Sequence, residues 1–248
     1  MKVRVGTSGY SYKEWKGAFY PEKISPRDML HAYSGKLNTV EINNTFYHMP
    51  TEKMLGSWAE QVGNDFVFAL KAPQVITHWK RLRNVGSEME FVFRSLPTLG
   101  QKLGPLLFQL PPNMKCDPAL LEGFLAKLPT DIRCAFEFRN PSWLDNAVLD
   151  LLRAKGCGLC IADSDEEPVK EIVGTARLGY LRLRRSDYTD ADLSEWAEKI
   201  LAQEWEQAFV FFKHEGDEAR GPKLAMRFQG IVDARGKEIE AEGLRKAG

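Results

Sequence analysis

Eight short runs rich in β-branched and aromatic residues recur along this chain, and most lead into a stretch with helical periodicity. They read VRVGTSG from Val3, TVEINNTF from Thr39, FVFALKA from Phe66, GPLLFQLPP from Gly104, IRCAFEFR from Ile132, GCGLCIAD from Gly156, ARLGYLRLR from Ala176 and QAFVFFKH from Gln207. Strand followed by helix, eight times in 248 residues, predicts an α/β fold: a TIM-like (βα)8 barrel, a single domain spanning 1–248. Sites on that fold lie at the C-terminal ends of the strands, so the fold says where to look and leaves the chemistry to the residues found there.

Cap signals support the helices. Ser25 with Pro26 and Asp28, Ser87 with Glu90, Asp117 before Pro118, and Thr189 with Asp192 ahead of DLSEWAEKIL each read as a helix start. Gly156 after LLRAK reads as a stop, and Pro97 is expected to bend or divide the third helix. The sixth crossover, SDEEPVKEIVGT, has room for a turn or two of helix. No linker, low-complexity segment or repeat suggests an internal boundary.

Lys plus Arg and Asp plus Glu both number 34, so no global field recruits nucleic acid or a membrane, and any anion preference must come from placement. No apolar run approaches the roughly 20 residues of a membrane span, and a cytoplasmic location is expected. Cys116, Cys134, Cys157 and Cys160 fall in or beside predicted strands, which fits a reducing compartment better than a disulfide framework. Cys157 and Cys160 form a CxxC, but three residues apart in a strand they point to opposite faces, unlike a redox pair.

The strand ends carry the chemistry. Alternation puts Glu41, Asn43 and Thr45 on one face of the second strand, Glu137 and Arg139 on one face of the fifth, and Arg182 and Arg184 on one face of the seventh. The same reading brings Lys71, Gln109, Asp163 and Lys213 or His214 to the mouth. With the aliphatic set turned to the helices, these polar groups are expected to converge on the axis with an excess of positive charge. Arginine forks match phosphate or carboxylate, so a small anionic ligand would complete the cluster. The competing explanation is an ion-pair lattice that closes the barrel top.

Aromatics ring the same end: Tyr10, Tyr12, Trp15, Phe46, Tyr47, Trp79, Trp143 and Tyr188. They suit sugars or bases as well as ordinary packing. GTSGYS matches neither a P-loop nor a dinucleotide fingerprint, HExxH and a nucleophile elbow are absent, and no cofactor is expected. Four histidines do not suggest a histidine metal cluster, although Glu41, Glu137, Asp163 and His214 offer a carboxylate-rich alternative. His78 is the histidine best placed for proton transfer.

The motifs GTSGYSYKEWKGAFYP, TVEINNTFYHMP, FVFALKAPQVITHWKRL, KLGPLLFQLPP and FEFRNPSW, in this order, resemble the YecE-like domain-of-unknown-function family. The resemblance implies a TIM-like barrel and names no substrate. Its pattern falls on Thr7, Ser8, Tyr12, Trp15, Glu41, Asn43, Thr45, Phe46, Tyr47, Lys71, His78, Gln109, Glu137, Arg139, Trp143, Asp163 and Arg182. Where the seventh strand of that pattern ends Arg-x-His-Gly, this chain has Arg184 and Arg185. Where the eighth ends in paired asparagines, it has Lys213 and His214. Both departures add basic character.

Three readings follow. The first is an acid/base enzyme on a small anionic substrate, a phosphorylated one among the options, with Glu137, Glu41, Asp163 and His78 as catalytic candidates. Lys71, Arg139, Arg182, Arg184, Lys213, Asn43, Gln109, Tyr12, Trp15 and Trp143 would bind the substrate. The second is a barrel that binds or processes nucleic acid through its basic mouth and aromatic rim. The third is a non-catalytic ligand-binding protein, favoured if the mouth is fully paired with itself.

Overall fold

The computed structural model describes residues 1–213 and 217–246. Eight parallel strands, β1 (Lys2–Thr7), β2 (Thr39–Ile42), β3 (Val67–Lys71), β4 (Leu103–Leu110), β5 (Cys134–Phe138), β6 (Gly158–Asp163), β7 (Leu178–Leu183) and β8 (Gln207–Phe212), form a nearly closed barrel ordered β1-β8-β7-β6-β5-β4-β3-β2. Helices α1 (Met29–Ser34), α2 (Asn44–Tyr47), α3 (Glu52–Glu60), α4 (Gly86–Ser95), α5 (Pro118–Leu125), α6 (Asn146–Lys155), α7 (Asp190–Leu201) and α8 (Arg220–Lys246) connect and follow them, α2 and α3 both between β2 and β3. All eight expected strands are present, and the TIM-like barrel is the fold.

The seam lies between β1 and β2, where a single bridge, Ser8 to Glu41, replaces a ladder. The Gly9 amide donates to the Glu41 carbonyl at 2.8 Å. Below it, the Tyr33 hydroxyl does the work of ladder bonds: it accepts from the Thr7 amide at 2.9 Å and donates to the Thr39 carbonyl at 3.0 Å. The strands come so close that a Cβ on Gly6 would sit 2.1 Å from the Thr39 carbonyl oxygen, so only glycine fits. Tyr33 is wholly buried, and its ring ties α1 to the seam.

Alternation sorts the strand residues into two apolar sets. One set faces the helices; the other, Val67, Ala69, Leu107, Ala135, Cys160, Leu178, Tyr180, Phe209 and Phe211, fills the barrel. Large rings from β7 and β8 meet small side chains from β3, β5 and β6, which is how a narrow barrel reaches full density. Cys157 lies in the outer set and Cys160 in the inner one, on opposite faces as expected, and all four thiols are free.

Several helix starts differ from expectation. Asp117 and Thr189 cap α5 and α7 as expected, the latter in a complete capping box with Asp192. Gly156 ends α6 at φ 70°. Ser25 is not a cap: its hydroxyl donates to Asp28 Oδ2 at 2.7 Å in a turn, and α1 begins only at Met29. Ser87 is inside α4, whose N-cap is Val85, two residues earlier than expected. Pro97 does divide its helix, α4 giving way to a 3₁₀ segment from Leu96. The sixth crossover forms no helix at all; Asp163 holds it instead through the Val169 amide, 2.9 Å away.

Tyr33→Phe removes a hydroxyl that satisfies two buried backbone groups, so it is expected to destabilise the protein by about 1–3 kcal/mol. Urea unfolding measures this, and the same variant should bind anions as the wild type does.

Candidate functional site

Arg182, at the end of β7, is 3% exposed and reaches across the barrel axis. Its Nη1 donates to Glu137 Oε2 on β5 at 2.7 Å, and its Nη2 to Glu41 Oε1 on β2 at 2.9 Å. Tyr180, one inward position earlier on β7, donates to Glu41 Oε2 at 2.8 Å. Asn43 Nδ2 reaches Glu41 Oε1 at 3.2 Å, and Arg139 Nε reaches Glu137 Oε1 at 3.2 Å. Every carboxylate oxygen is thus engaged. Burial raises the Glu137 carboxyl, but Arg182 and then Arg139 outweigh it and bring it down to about 2. Glu41, opposed by the same burial and favoured by the same Arg182, is also held below the ordinary range. Both are anions at neutral pH.

Other cations at the mouth have no such partner. Lys71, at the end of β3, is 8% exposed; its Nζ lies 4.0 Å over the Phe46 ring and makes no hydrogen bond or ion pair among the described residues. Burial first, and the neighbouring Arg182 second, lower the ammonium to about 8. The half-buried Arg184 likewise has no side-chain partner among the described residues, and burial and Arg182 lower it too. Gln109 stands opposite Glu137 in the ladder. Its buried Nε2 is near enough to help lower that carboxyl yet completes no hydrogen bond, and the buried Arg182 Nε has no acceptor either. Lys71, Arg139, Arg182 and Arg184 against Glu41 and Glu137 leave an excess of two positive charges, together with donors that lack acceptors.

The loop after β3 is irregular where it meets this cluster. Val75–Trp79 forms a π-helical turn, and Arg81, Leu82 and Asn84 follow at φ 48°, 66° and 52°. Left-handed non-glycine residues each cost on the order of 1–3 kcal/mol and gather at functional loops. The loop carries His78, whose Nδ1 lies 2.9 Å from Thr77 Oγ1 and whose ring meets the Phe46 ring edge-on at 4.9 Å. Burial, then Lys71 and Arg139, lower its pKa, so the imidazole is neutral. Tyr47 and Trp79, 65% and 70% exposed, flank the same wall.

Comparison with known proteins agrees with this architecture. The family described as "Protein of unknown function DUF72" matches residues 4–247. The chain belongs to this family. Curated relatives include the UPF0759 protein YunF of Bacillus subtilis (strain 168), 29% identical over 167 residues, which are 62% of this chain and 58% of YunF. The UPF0759 protein YecE of Escherichia coli (strain K12) is 34% identical over 117 residues, 46% of this chain and 42% of YecE. The alignments therefore span about half the length of these curated relatives. Among solved structures, a DUF72 family protein from Thermotoga maritima superposes with a TM-score of 0.81 at 25% identity, covering 94% of this chain and 100% of that one. Another from Enterococcus faecalis gives 0.74 at 19% identity, covering 93% and 95%, and supports the fold.

In this DUF72 chain, Glu41, Asn43, Lys71, Gln109, Glu137, Arg139, Arg182 and Arg184 surround the mouth, with His78 beside them. Asp163 does not join them. On β6 it shares its face with Leu159 and Ile161 of the outer core, opposite Cys160. It pairs there with Arg185 (2.8 Å) and accepts from the Tyr188 hydroxyl (2.8 Å). The carboxylate-rich metal alternative loses its third carboxylate for this reason, and His214 lies outside the described residues. Trp15 and Trp143 are also corrected: they are 1% and 0% exposed. Trp15 packs among Tyr12, Phe19 and Tyr20; Trp143 stacks on Phe138 and donates to the Met114 carbonyl at 2.7 Å. Tyr12 is half-buried, its hydroxyl donating to the Ser8 carbonyl at 2.9 Å. Thr45 is not on an extended strand but in α2, donating to the Lys71 carbonyl at 2.7 Å. Lys213 follows β8 and is half-buried. Sequence reasoning missed Tyr180, although it sits two residues before Arg182 and so on the same face. No helix among the described residues is long and apolar enough to cross a membrane.

The ionisation of Lys71 can be read in stability. The folded protein releases this proton near pH 8, whereas the unfolded chain holds it to about 10.4. Stability therefore suffers below pH 8 and recovers as pH rises between the two values. Lys71→Met is expected to exceed the wild type at pH 7 by on the order of 2 kcal/mol. That margin should shrink as pH rises toward 10, measured as paired urea unfolding curves.

Proposed function

We propose that the barrel mouth binds a small anionic ligand, phosphorylated or carboxylated, and acts on it by general acid and base chemistry. The observation that carries the reading is the unpaired set, Lys71 and Arg184, beside carboxylates already engaged by Arg182. An anion would accept from these cations, from exposed Arg139 and from the orphaned Gln109 donor, replacing water with fixed charge. Glu137 and Glu41 then hold Arg182 in register and balance the site's charge. A carboxyl lowered to about 2 is a weak base, so proton transfer falls to neutral His78 within the catalytic set.

Inorganic phosphate and a panel of phosphorylated and carboxylated metabolites, screened by thermal shift, test this. A ligand at about 100 times its dissociation constant adds roughly 2.7 kcal/mol. Arg184→Gln should weaken the response about tenfold, from one lost charge-assisted hydrogen bond. If no such anion stabilises the wild type, and Arg184→Gln raises stability without changing any response, the proposal is wrong and the cluster is structural.

Tyr47 and Trp79 favour a second reading, in which the ligand is nucleic acid: exposed rings beside a basic mouth suit stacked bases. Binding to short single-stranded DNA should then fall steeply with salt and weaken on Trp79→Ala. No binding at low ionic strength excludes it.

A further inference from the structure

We infer that Lys71 is a nucleophilic amine that condenses with the carbonyl of an aldehyde or ketone carrying the anionic group, forming an iminium. The inference rests on the anion-site reading and names its substrate class.

Three observations place Lys71 in that role. First, it is nine-tenths buried at the C-terminal end of a barrel strand, and its Nζ lies over an aromatic ring with no carboxylate holding it. The two nearby carboxylates that would ordinarily pair with it have all four oxygens engaged by Arg182, Tyr180, Asn43 and Arg139. A buried lysine without a salt bridge has a free lone pair once deprotonated, and the adjacent Arg182 charge favours that form. Second, its position is fixed. The Thr45 hydroxyl donates to the Lys71 carbonyl at 2.7 Å, and α2, which carries Thr45, places Phe46 beneath Nζ. Third, a proton carrier shares that ring: His78 meets Phe46 edge-on at 4.9 Å, and its Nδ1 is occupied by Thr77, which leaves Nε2 to exchange protons.

The step balances without a further reactant. The ammonium gives one proton to His78 Nε2, and the neutral amine attacks the carbonyl carbon as the C=O π pair moves onto oxygen. A second proton passes from nitrogen to that oxygen. The imidazolium returns the first proton to the resulting hydroxyl, which leaves as water while the nitrogen lone pair forms the C=N bond. Two ammonium hydrogens depart in the water, and the iminium keeps the third and the positive charge. That charge stays in the field of Glu41 and Glu137, which lowers the cost of forming it. Arg184 and Arg139 are left for the phosphate or carboxylate.

The full-length protein is treated with glycolaldehyde phosphate or pyridoxal 5′-phosphate, reduced with sodium borohydride, and mapped by peptide mass spectrometry. Lys71 should label at least about tenfold faster than surface lysines at pH 7.5. Its rate should rise through about pH 8 and level off, while surface lysines keep rising toward about pH 10.4. Phosphate-free pyridoxal should label it about tenfold more slowly, as the loss of a charge-assisted contact implies, and inorganic phosphate should protect it. His78→Asn should slow the adduct in a protein whose melting temperature is unchanged. Lys71 labelling no faster than surface lysines with both phosphorylated aldehydes overturns the inference; if phosphate still stabilises the protein, the anion site stands without it. Equal labelling by pyridoxal and pyridoxal 5′-phosphate, with no protection by phosphate, supports the amine and removes the anion site instead.

Discussion

The mouth of this barrel is organised by one buried cation. Arg182 spans the axis from β7 to carboxylates on β2 and β5, so three strands that share no ladder are joined at their C-terminal ends. The tie also guards the seam. β2 bonds to β1 through one bridge and the Tyr33 hydroxyl, and its terminal residue inside the barrel, Glu41, is the one Arg182 and Tyr180 hold. A charged pair buried this way is not a strong source of net stability, because desolvation offsets most of the attraction. What it supplies is position: losing one partner leaves an uncompensated buried charge, at a cost of about 3–5 kcal/mol.

Everything else at the mouth follows from the engagement of those carboxylates. With their oxygens taken, Lys71 and Arg184 are left in the field of the carboxylates and of Arg182, and burial first, then Arg182, lowers the pKa of both. The cluster is therefore a mixture of the two explanations its sequence allowed. The Arg182 centre is an ion-pair lattice in which every carboxylate oxygen is engaged, while the β3 wing and Arg184 stand outside it. A mouth fully paired with itself would have favoured a passive role, and this one is paired only in part.

The barrel was legible because its code is periodic: alternation marked every strand, and the cap residues of α5 and α7 and the stop at Gly156 behaved as their local chemistry requires. The same code, followed strictly, places Asp163 correctly. In GCGLCIAD the aliphatic phase runs Leu159, Ile161 and then Asp163, so a carboxylate at a strand end is on the outside even though its neighbour Ala162 is not. Arg185 and Tyr188, which neutralise it there, come from the next strand's loop and leave no mark within β6. Trp15 and Trp143 were illegible for a different reason. Loop aromatics have no period, and whether an indole lines a rim or fills a gap depends on the carbonyl its N–H finds, in Trp143 the distant Met114. Ser25 and Ser87 show that a cap motif states what a turn can do, while the preceding loop geometry decides where the helix begins.

The irregular backbone and the unpaired amine fall on the same strand–loop unit, and a physical argument connects them. A lysine end group left unpaired in a barrel is tolerable only if its surroundings prevent it from swinging toward Glu41 or Glu137. Phe46 beneath Nζ and the Thr45 hydroxyl on its carbonyl provide that constraint from one side. On the other, the π-helical turn holds His78 against the same ring, and the left-handed residues Arg81, Leu82 and Asn84 follow it on the way into α4. Regular helix from Val75 onward would be cheaper for the backbone. The backbone cost and the His78 contact therefore fall on one loop, the loop that follows the strand carrying Lys71.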